Sequence, residues 1–268
     1  MTQEYATDQQ VLFDIQEDGI ATITLNRPDV HNAFNDEIIS RLIAAIDTCA
    51  EHQDVRVVIL KSTGKNFSAG ADLAWMKSMA ALNFDQNKQD ASALAQLMEK
   101  LYRLNKPVVA RAQGKSFGGA LGLLACSDIV VAANDASFCL SEVKIGLVPA
   151  VISPYVVKAI GQRQASRYFL TAEAFSAEQA LNNGLVHEMA DETELDECVT
   201  SIVKTLLKNG PSAVAEAKAL VQYVADNQID PVTINHTTEL IAKIRVSKEG
   251  QEGLGAFLEK RKPNWLAS

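Results

Sequence analysis

The chain holds 268 residues, 47% hydrophobic and 22% charged, which excludes an intrinsically disordered polymer, while 14 Gly and 7 Pro exclude a collagen-like or linker-dominated one. Lys and Arg total 25 against 33 Asp and Glu, a net charge of 25 − 33 = −8, the wrong sign for gripping phosphate backbones or anionic membrane surfaces. A chain of this size fits one large domain, or one domain with an appendage.

Two short alternating runs, 11–15 and 20–25, are joined through Asp18-Gly19 and predict an antiparallel hairpin. Asn35 then stands where it caps a helix whose Ile38, Leu42, Ile46 and Cys49 recur at helical spacing. The β-branched run 55–60 predicts a buried strand, followed by a glycine-bearing loop over 64–70 and a helix from about Leu73. The order then repeats: an amphipathic segment over 91–104, a strand at 107–112, a second glycine-bearing turn, a short helix to Cys126 and a strand at 129–132. Strands alternating with helices predict an α/β fold. From about Thr193 three helical patterns follow, broken at Asn209-Gly210-Pro211 and Asp230-Pro231. The predicted division is an α/β core over 1–195 and a helical part over 196–268.

No run of about 18 apolar residues occurs, and the polar start Met1-Thr2-Gln3-Glu4-Tyr5 lacks targeting character, so a cytoplasmic location is expected. Cys49, Cys126, Cys139 and Cys198 form no CxxC pair, which predicts reduced thiols and no metal site. The four histidines and Ser68 or Ser116 form no G-x-S-x-G elbow, which argues against a serine hydrolase.

Two loops run from a strand into a helix with glycine where backbone amides can approach a ligand: Ser68-Ala69-Gly70-Ala71-Asp72-Leu73 and Gly114-Lys115-Ser116-Phe117-Gly118-Gly119-Ala120. If they converge, they bind a developing oxyanion, and one such donor is worth about 2.7–4 kcal/mol of transition-state stabilisation. Taken singly, each glycine loop also fits plain backbone geometry.

Together with Asn26-Arg27-Pro28, the run Ser141-Glu142-Val143-Lys144-Ile145-Gly146-Leu147-Val148-Pro149 and the C-terminal Phe257-Leu258-Glu259-Lys260-Arg261-Lys262-Pro263, these loops resemble the crotonase family, the enoyl-CoA hydratase/isomerase superfamily, over nearly the whole chain. The resemblance implies a crotonase-type spiral of ββα units, a C-terminal helical oligomerisation region, and a homotrimer or a dimer of trimers. It also implies an acyl-CoA substrate, with coenzyme A entering as the thioester and no separate cofactor. The thioester carbonyl then falls between the N–H groups of Ala71 and Gly119, with Ala69, Gly70, Asp72, Leu73 and Gly118 along the CoA and Lys262, Lys260 or Arg261 as basic contacts. Asp72 also reads as a helix cap, and Asp128 as a structural residue before a buried strand.

The family's hydratases carry two glutamates. The downstream one matches Glu142, whose apolar surroundings would raise its pKa toward a useful acid/base value. The first falls at Gly122, which has no carboxyl. The runs around Trp75 and Glu142 look like bacterial methylglutaconyl-CoA hydratases and hydratases of carboxylated isoprenoid acyl-CoAs, which implies water addition to a substrate such as 3-methylglutaconyl-CoA in leucine or isoprenoid breakdown. Lys144, Lys115 and Arg111 are candidate partners for its carboxylate. An enoyl-CoA isomerase with Glu142 as sole acid/base, or a non-catalytic CoA-thioester binding subunit, remain alternatives.

Overall fold

In the computed structural model, which describes residues 3–4 and 10–266, strands β1 (Gln3–Glu4), β2 (Val11–Ile15) and β3 (Ile20–Leu25) form an antiparallel meander, as the hairpin signal predicts. Helix α1 (Asp36–Glu51) begins where expected: Ile38 N–H donates to the Asn35 side chain at 2.9 Å, and Ile38, Leu42, Ile46 and Cys49 are buried. Strand β4 (Val57–Ser62) starts two residues later than the β-branched run. Val55 is buried, but its N–H turns back to His52 O, so it ends the exit from α1 instead of joining the ladder.

Helices α2 (Leu73–Met79) and α3 (Phe84–Arg103) follow. Helix α3 begins earlier than its apolar periodicity indicates, because a capping box of Asn83 and Gln86 starts it and its first turns are polar and exposed. The chain then lays down β5 (Val108–Ala112), β6 (Lys115–Phe117), α4 (Gly119–Cys126), β7 (Ile129–Ala133), β8 (Ser137–Cys139) and α5 (Ser153–Thr171). The second glycine-bearing turn is therefore itself a short strand. Next come β9 (Phe175–Ser176), α6 (Ala177–Asn182), β10 (Glu188–Ala190) and α7 (Leu195–Leu207).

Two sheets result. The larger has the order β1-β2-β3-β4-β5-β7-β10, parallel from β3 onward, and the smaller has the order β6-β8-β9. Two successive repeats, β5-β6-α4 and β7-β8-α5, each place one strand in the large sheet, a short strand in the small one, and then a helix. Sequence positions far apart are thereby stacked side by side.

Helix α7 spans the predicted boundary at 195/196 and packs against β4, β5, β7 and β10, burying Leu195, Val199 and Val203. Beyond it lie α8 (Pro211–Asp226), α9 (Pro231–Val246) and α10 (Lys248–Leu258). The last predicted pattern divides at Ser247, which ends α9 and whose Oγ accepts from Gly250 N–H at 3.0 Å to begin α10. The half-buried pair Lys218–Asp128, at 2.7 Å, ties α8 to the strand entry, and Asp128 also accepts from Val108 N–H, the structural role expected of it. No helix among the described residues is long and apolar enough to cross a membrane.

Candidate active site

The fold zips the two glycine loops together. Phe67 N–H donates to Gln113 O at 2.8 Å, Ser68 N–H to Lys115 O at 3.1 Å, and Phe117 N–H to Ser68 O at 3.0 Å, with Ser68 and Ser116 bridged in parallel. This ladder ends with Gly70 and Gly118 in contact: a Cβ on Gly70 would stand 3.8 Å from the Gly118 Cα and only 2.9 Å from Phe117 O. Both glycines have positive φ, 92° and 54°, a conformation that side-chain-bearing residues rarely adopt.

Immediately after these glycines come Ala71 and Gly119. Both border one cavity, and neither N–H meets an acceptor among the described residues. Gly119 opens α4, so the positive end of a helix dipole lies behind its N–H. Two free donors at one cavity wall can hold a developing negative charge on oxygen.

Asp72 fixes the first donor. Its Oδ1 accepts from Ala74 N–H at 2.8 Å and from Trp75 N–H at 3.4 Å, and its Oδ2 accepts from Arg27 Nη1 at 3.2 Å. Burial alone would raise the Asp72 carboxyl, but these two amides and the Arg27 guanidinium outweigh it and hold it below the usual carboxylate range. Asp72 is thus the cap of α2, as the sequence allows. Asp72→Ala should cost about 1 kcal/mol of stability, read as a lowered urea midpoint, and should lower turnover by loosening Ala71. Asp72→Asn should retain most of both.

The third element arrives through the small sheet. Strand β8 pairs with β6 in parallel, setting Cys139 opposite Phe117, and Gly118 N–H donates to Cys139 O at 2.9 Å. Three residues later a 3₁₀ turn (Glu142–Ile145) begins. The Glu142 Oε1 lies so close to Gly118 that a Cβ there would be 3.4 Å from it, while Oε2 is buried with no hydrogen-bond partner. Burial pushes the Glu142 carboxyl above its ordinary value, with its own backbone N–H pulling weakly the other way.

The cavity these groups share has a volume of about 290 Å³. Trp75 and Met79 of α2, Leu94 of α3, Phe34 and the 148–152 loop make its apolar walls. At Gly122 a Cβ would meet Ile152 Cγ2 at 2.3 Å and Met98 Sδ at 2.9 Å. The place of a second carboxyl on α4 is thus already filled by Ile152.

Ala71, Gly119 and Glu142 are therefore brought to one cavity, with Ala69, Gly70, Asp72 and Gly118 in the loops behind it and Leu73 exposed beside it. Lys262 is exposed beyond α10 and does not line the cavity, and Arg261 is taken up by Glu252 and Glu259. The three candidate partners of a substrate carboxylate also lie elsewhere. Arg111 is paired with Asp196 of α7, Lys115 stands 5.9 Å from the Phe117 ring centroid, and Lys144 Nζ is 4.0 Å from Cys139 Sγ. Among the described residues no Lys or Arg lines the cavity, whereas Asp90 does. Sequence reasoning missed Asp90 and Ile152, since each reaches the cavity only through packing between distant segments.

A wider groove of about 900 Å³ runs along β10 and α7, lined by His187, Glu188 and Cys198 among others. His187 Nδ1 accepts from Val130 N–H, and the Cys198 thiol, pushed up to about 11 by burial and by its hydrogen bond to Glu188, stays protonated at neutral pH. Cys198 is therefore not an activated nucleophile.

Residues 15–267 match the family model for enoyl-CoA hydratase/isomerase. The chain belongs to that family. The crystal structure of an enoyl-CoA hydratase from Shewanella pealeana superposes with a TM-score of 0.93 at 48% identity, covering 96% of each chain. A trans-2-decenoyl-acyl-carrier-protein isomerase from Streptococcus mutans is 31% identical over 264 residues, covering 96% of this chain and 98% of its own. A crotonyl-CoA hydratase from Syntrophomonas wolfei is 29% identical over 258 residues, covering 94% and 96%. The α/β spiral with its C-terminal helices is thus the crotonase fold, shared by hydratases and isomerases.

Proposed function

We propose that this protein is an enoyl-CoA hydratase in which Glu142 is the single acid/base and the N–H groups of Ala71 and Gly119 hold the thioester oxygen. The observation that carries this reading is the buried, unpartnered Glu142 carboxyl beside two amides that lack acceptors, all on one cavity. One carboxyl suffices for the proton balance. Glu142 takes a proton from water as the water oxygen bonds to C3, negative charge moves to the thioester oxygen between the two amides, and the same proton is then delivered to C2. In this reading segment 69–73 and Gly118 run along the CoA moiety.

Isomerase action is the second reading, favoured by the filled site at Gly122: a lone carboxyl can also carry one proton between C2 and C4. Mass spectrometry of a panel of 2- and 3-enoyl-CoAs separates the two. Hydration appears as a gain of one water and isomerisation as an isobaric shift; release of neither product from any enoyl-CoA would overturn both and leave the binding-subunit alternative.

For the acyl group, the motifs around Trp75 and Glu142 support a branched, carboxylated chain such as 3-methylglutaconyl-CoA, while the cavity wall, with Asp90 and no Lys or Arg among the described residues, supports an uncharged one. The cavity, with an acid and no base, weighs more in our reading. The exposed apolar residues on α9 and α10, with Phe257 at 81% and Val246 at 77% exposure, support a trimer or dimer of trimers.

A further inference from the structure

A second carboxylate borders the cavity, and the proton chemistry above does not use it. Asp90 lies on α3, one face of which lines the cavity through Asp90, Ala91 and Leu94. Its Oδ1 accepts from Trp75 Nε1 at 3.2 Å, a polar contact that joins α2 and α3 at this wall. Ala71 lies just ahead of α2, and within the helix Trp75 and Met79 are four residues, about one turn of roughly 5.4 Å, apart; all three line the cavity. The cavity therefore extends along α2, away from the Ala71 amide and toward the Trp75–Asp90 pair. With a thioester carbonyl at Ala71 and Gly119 and C2 beside Glu142, this pair faces the acyl chain farther out. Burial raises the Asp90 carboxyl, the Trp75 N–H counteracts this, and Asp36 nearby raises it again, so the surroundings hold a further acid and no base that lines the cavity.

The geometry points to Asp90 as the residue that selects the acyl group: its carboxylate accepts a hydrogen bond from an acyl chain carrying a hydroxyl donor and repels one ending in a carboxylate. Trp75 orients it, since the indole N–H holds one oxygen and leaves acceptor capacity on the carboxylate. An apolar pocket with one acceptor discriminates most strongly against groups that leave that acceptor unpaired or opposed. Like charges about 4 Å apart in a partly desolvated site cost on the order of tenfold to a thousandfold in affinity. This inference rests on the reading of the cavity as an acyl-CoA site and names the acyl class that it takes.

Asp90→Asn tests it, because an asparagine oxygen can still accept from Trp75 while the charge is gone. Three 2-enoyl-CoAs of matched length are compared, ending in methyl, hydroxyl and carboxylate, together with dissociation constants for their saturated counterparts by calorimetry. The wild type should favour hydroxyl over carboxylate, and Asp90→Asn should raise the ratio of carboxylate to methyl kcat/KM at least about tenfold. A parallel change for all three chains would overturn the proposal and leave Asp90 as a structural brace for Trp75. So would a wild type that prefers the carboxylate. If nothing is turned over, the acid/base reading fails by itself, and the affinity order of the saturated thioesters still decides for or against Asp90. Glu142→Gln should lower turnover by about 10²–10⁴-fold yet keep that order.

Discussion

Glu142→Gln should lower kcat by about 10²–10⁴-fold, the usual contribution of a positioned acid/base, with KM little changed. Glutamine keeps the shape and can still stand against Gly118, so the loss reports the proton and not the packing. The wild-type profile carries a second signature. A base must be ionised, and burial lifts the Glu142 carboxyl above its ordinary value, so kcat/KM should climb with pH through a midpoint above the normal carboxylate range. Stability should move the opposite way. With its pKa raised in the folded state, Glu142 adds its full stability below its unfolded pKa, and that contribution is lost as pH rises through the folded value. Removing the charge should therefore leave the thermal midpoint at neutral pH equal to or above that of the wild type, and the difference should close in acid. A slower enzyme with a fold at least as stable is the pattern of a functional group held at energetic cost. A variant that loses stability along with activity would instead mark Glu142 as a structural residue.

Gly122→Glu should not restore a second acid; it should unfold the protein or come close. The first added carbon would lie 2.3 Å from Ile152 Cγ2 and 2.9 Å from Met98 Sδ, both buried. Overpacking of this kind costs about 1–3 kcal/mol, and an unpaired carboxylate among apolar groups adds several more. Gly122→Ala isolates the steric part and should lower the thermal midpoint by at least about 3 °C. In an Ile152→Ala background, itself destabilised by the lost side chain, the added cost of Gly122→Ala should shrink, a coupling of about 0.5–3 kcal/mol between residues in contact. Differential scanning calorimetry of the four proteins closes the cycle. If Gly122→Ala proves neutral, the cavity floor is looser than described and a second acid could be accommodated without touching Ile152.

The single missing carboxyl at Gly122 was legible in the sequence because a motif fixes the position; the residue that fills its space was not. Ile152 sits in a segment whose own pattern carries no sign of α4. Caps were readable for the same reason that motifs are: Asn35 and Asp72 act on amides two or three residues away. Strand starts drifted where burial and ladder membership part, as at Val55. The early turns of α3 were hidden because residues 84–90 are largely polar and exposed, and within that run Asp90 looks like any solvated acid. Its approach to Trp75 depends on how α2 and α3 pack, which local spacing does not encode. The convergence of the two glycine loops rests on the contact of Gly70 with Gly118, which neither loop's own residues encode.

The most direct test follows deuterium at the carbon next to the thioester carbonyl. Incubated in heavy water with a turned-over acyl-CoA, the wild type should place solvent deuterium at C2, seen by NMR, and Glu142→Gln should do so at least about 10²-fold more slowly. Exchange at the wild-type rate in Glu142→Gln would show that another group handles the proton and would contradict the assignment of Glu142 as the sole acid/base.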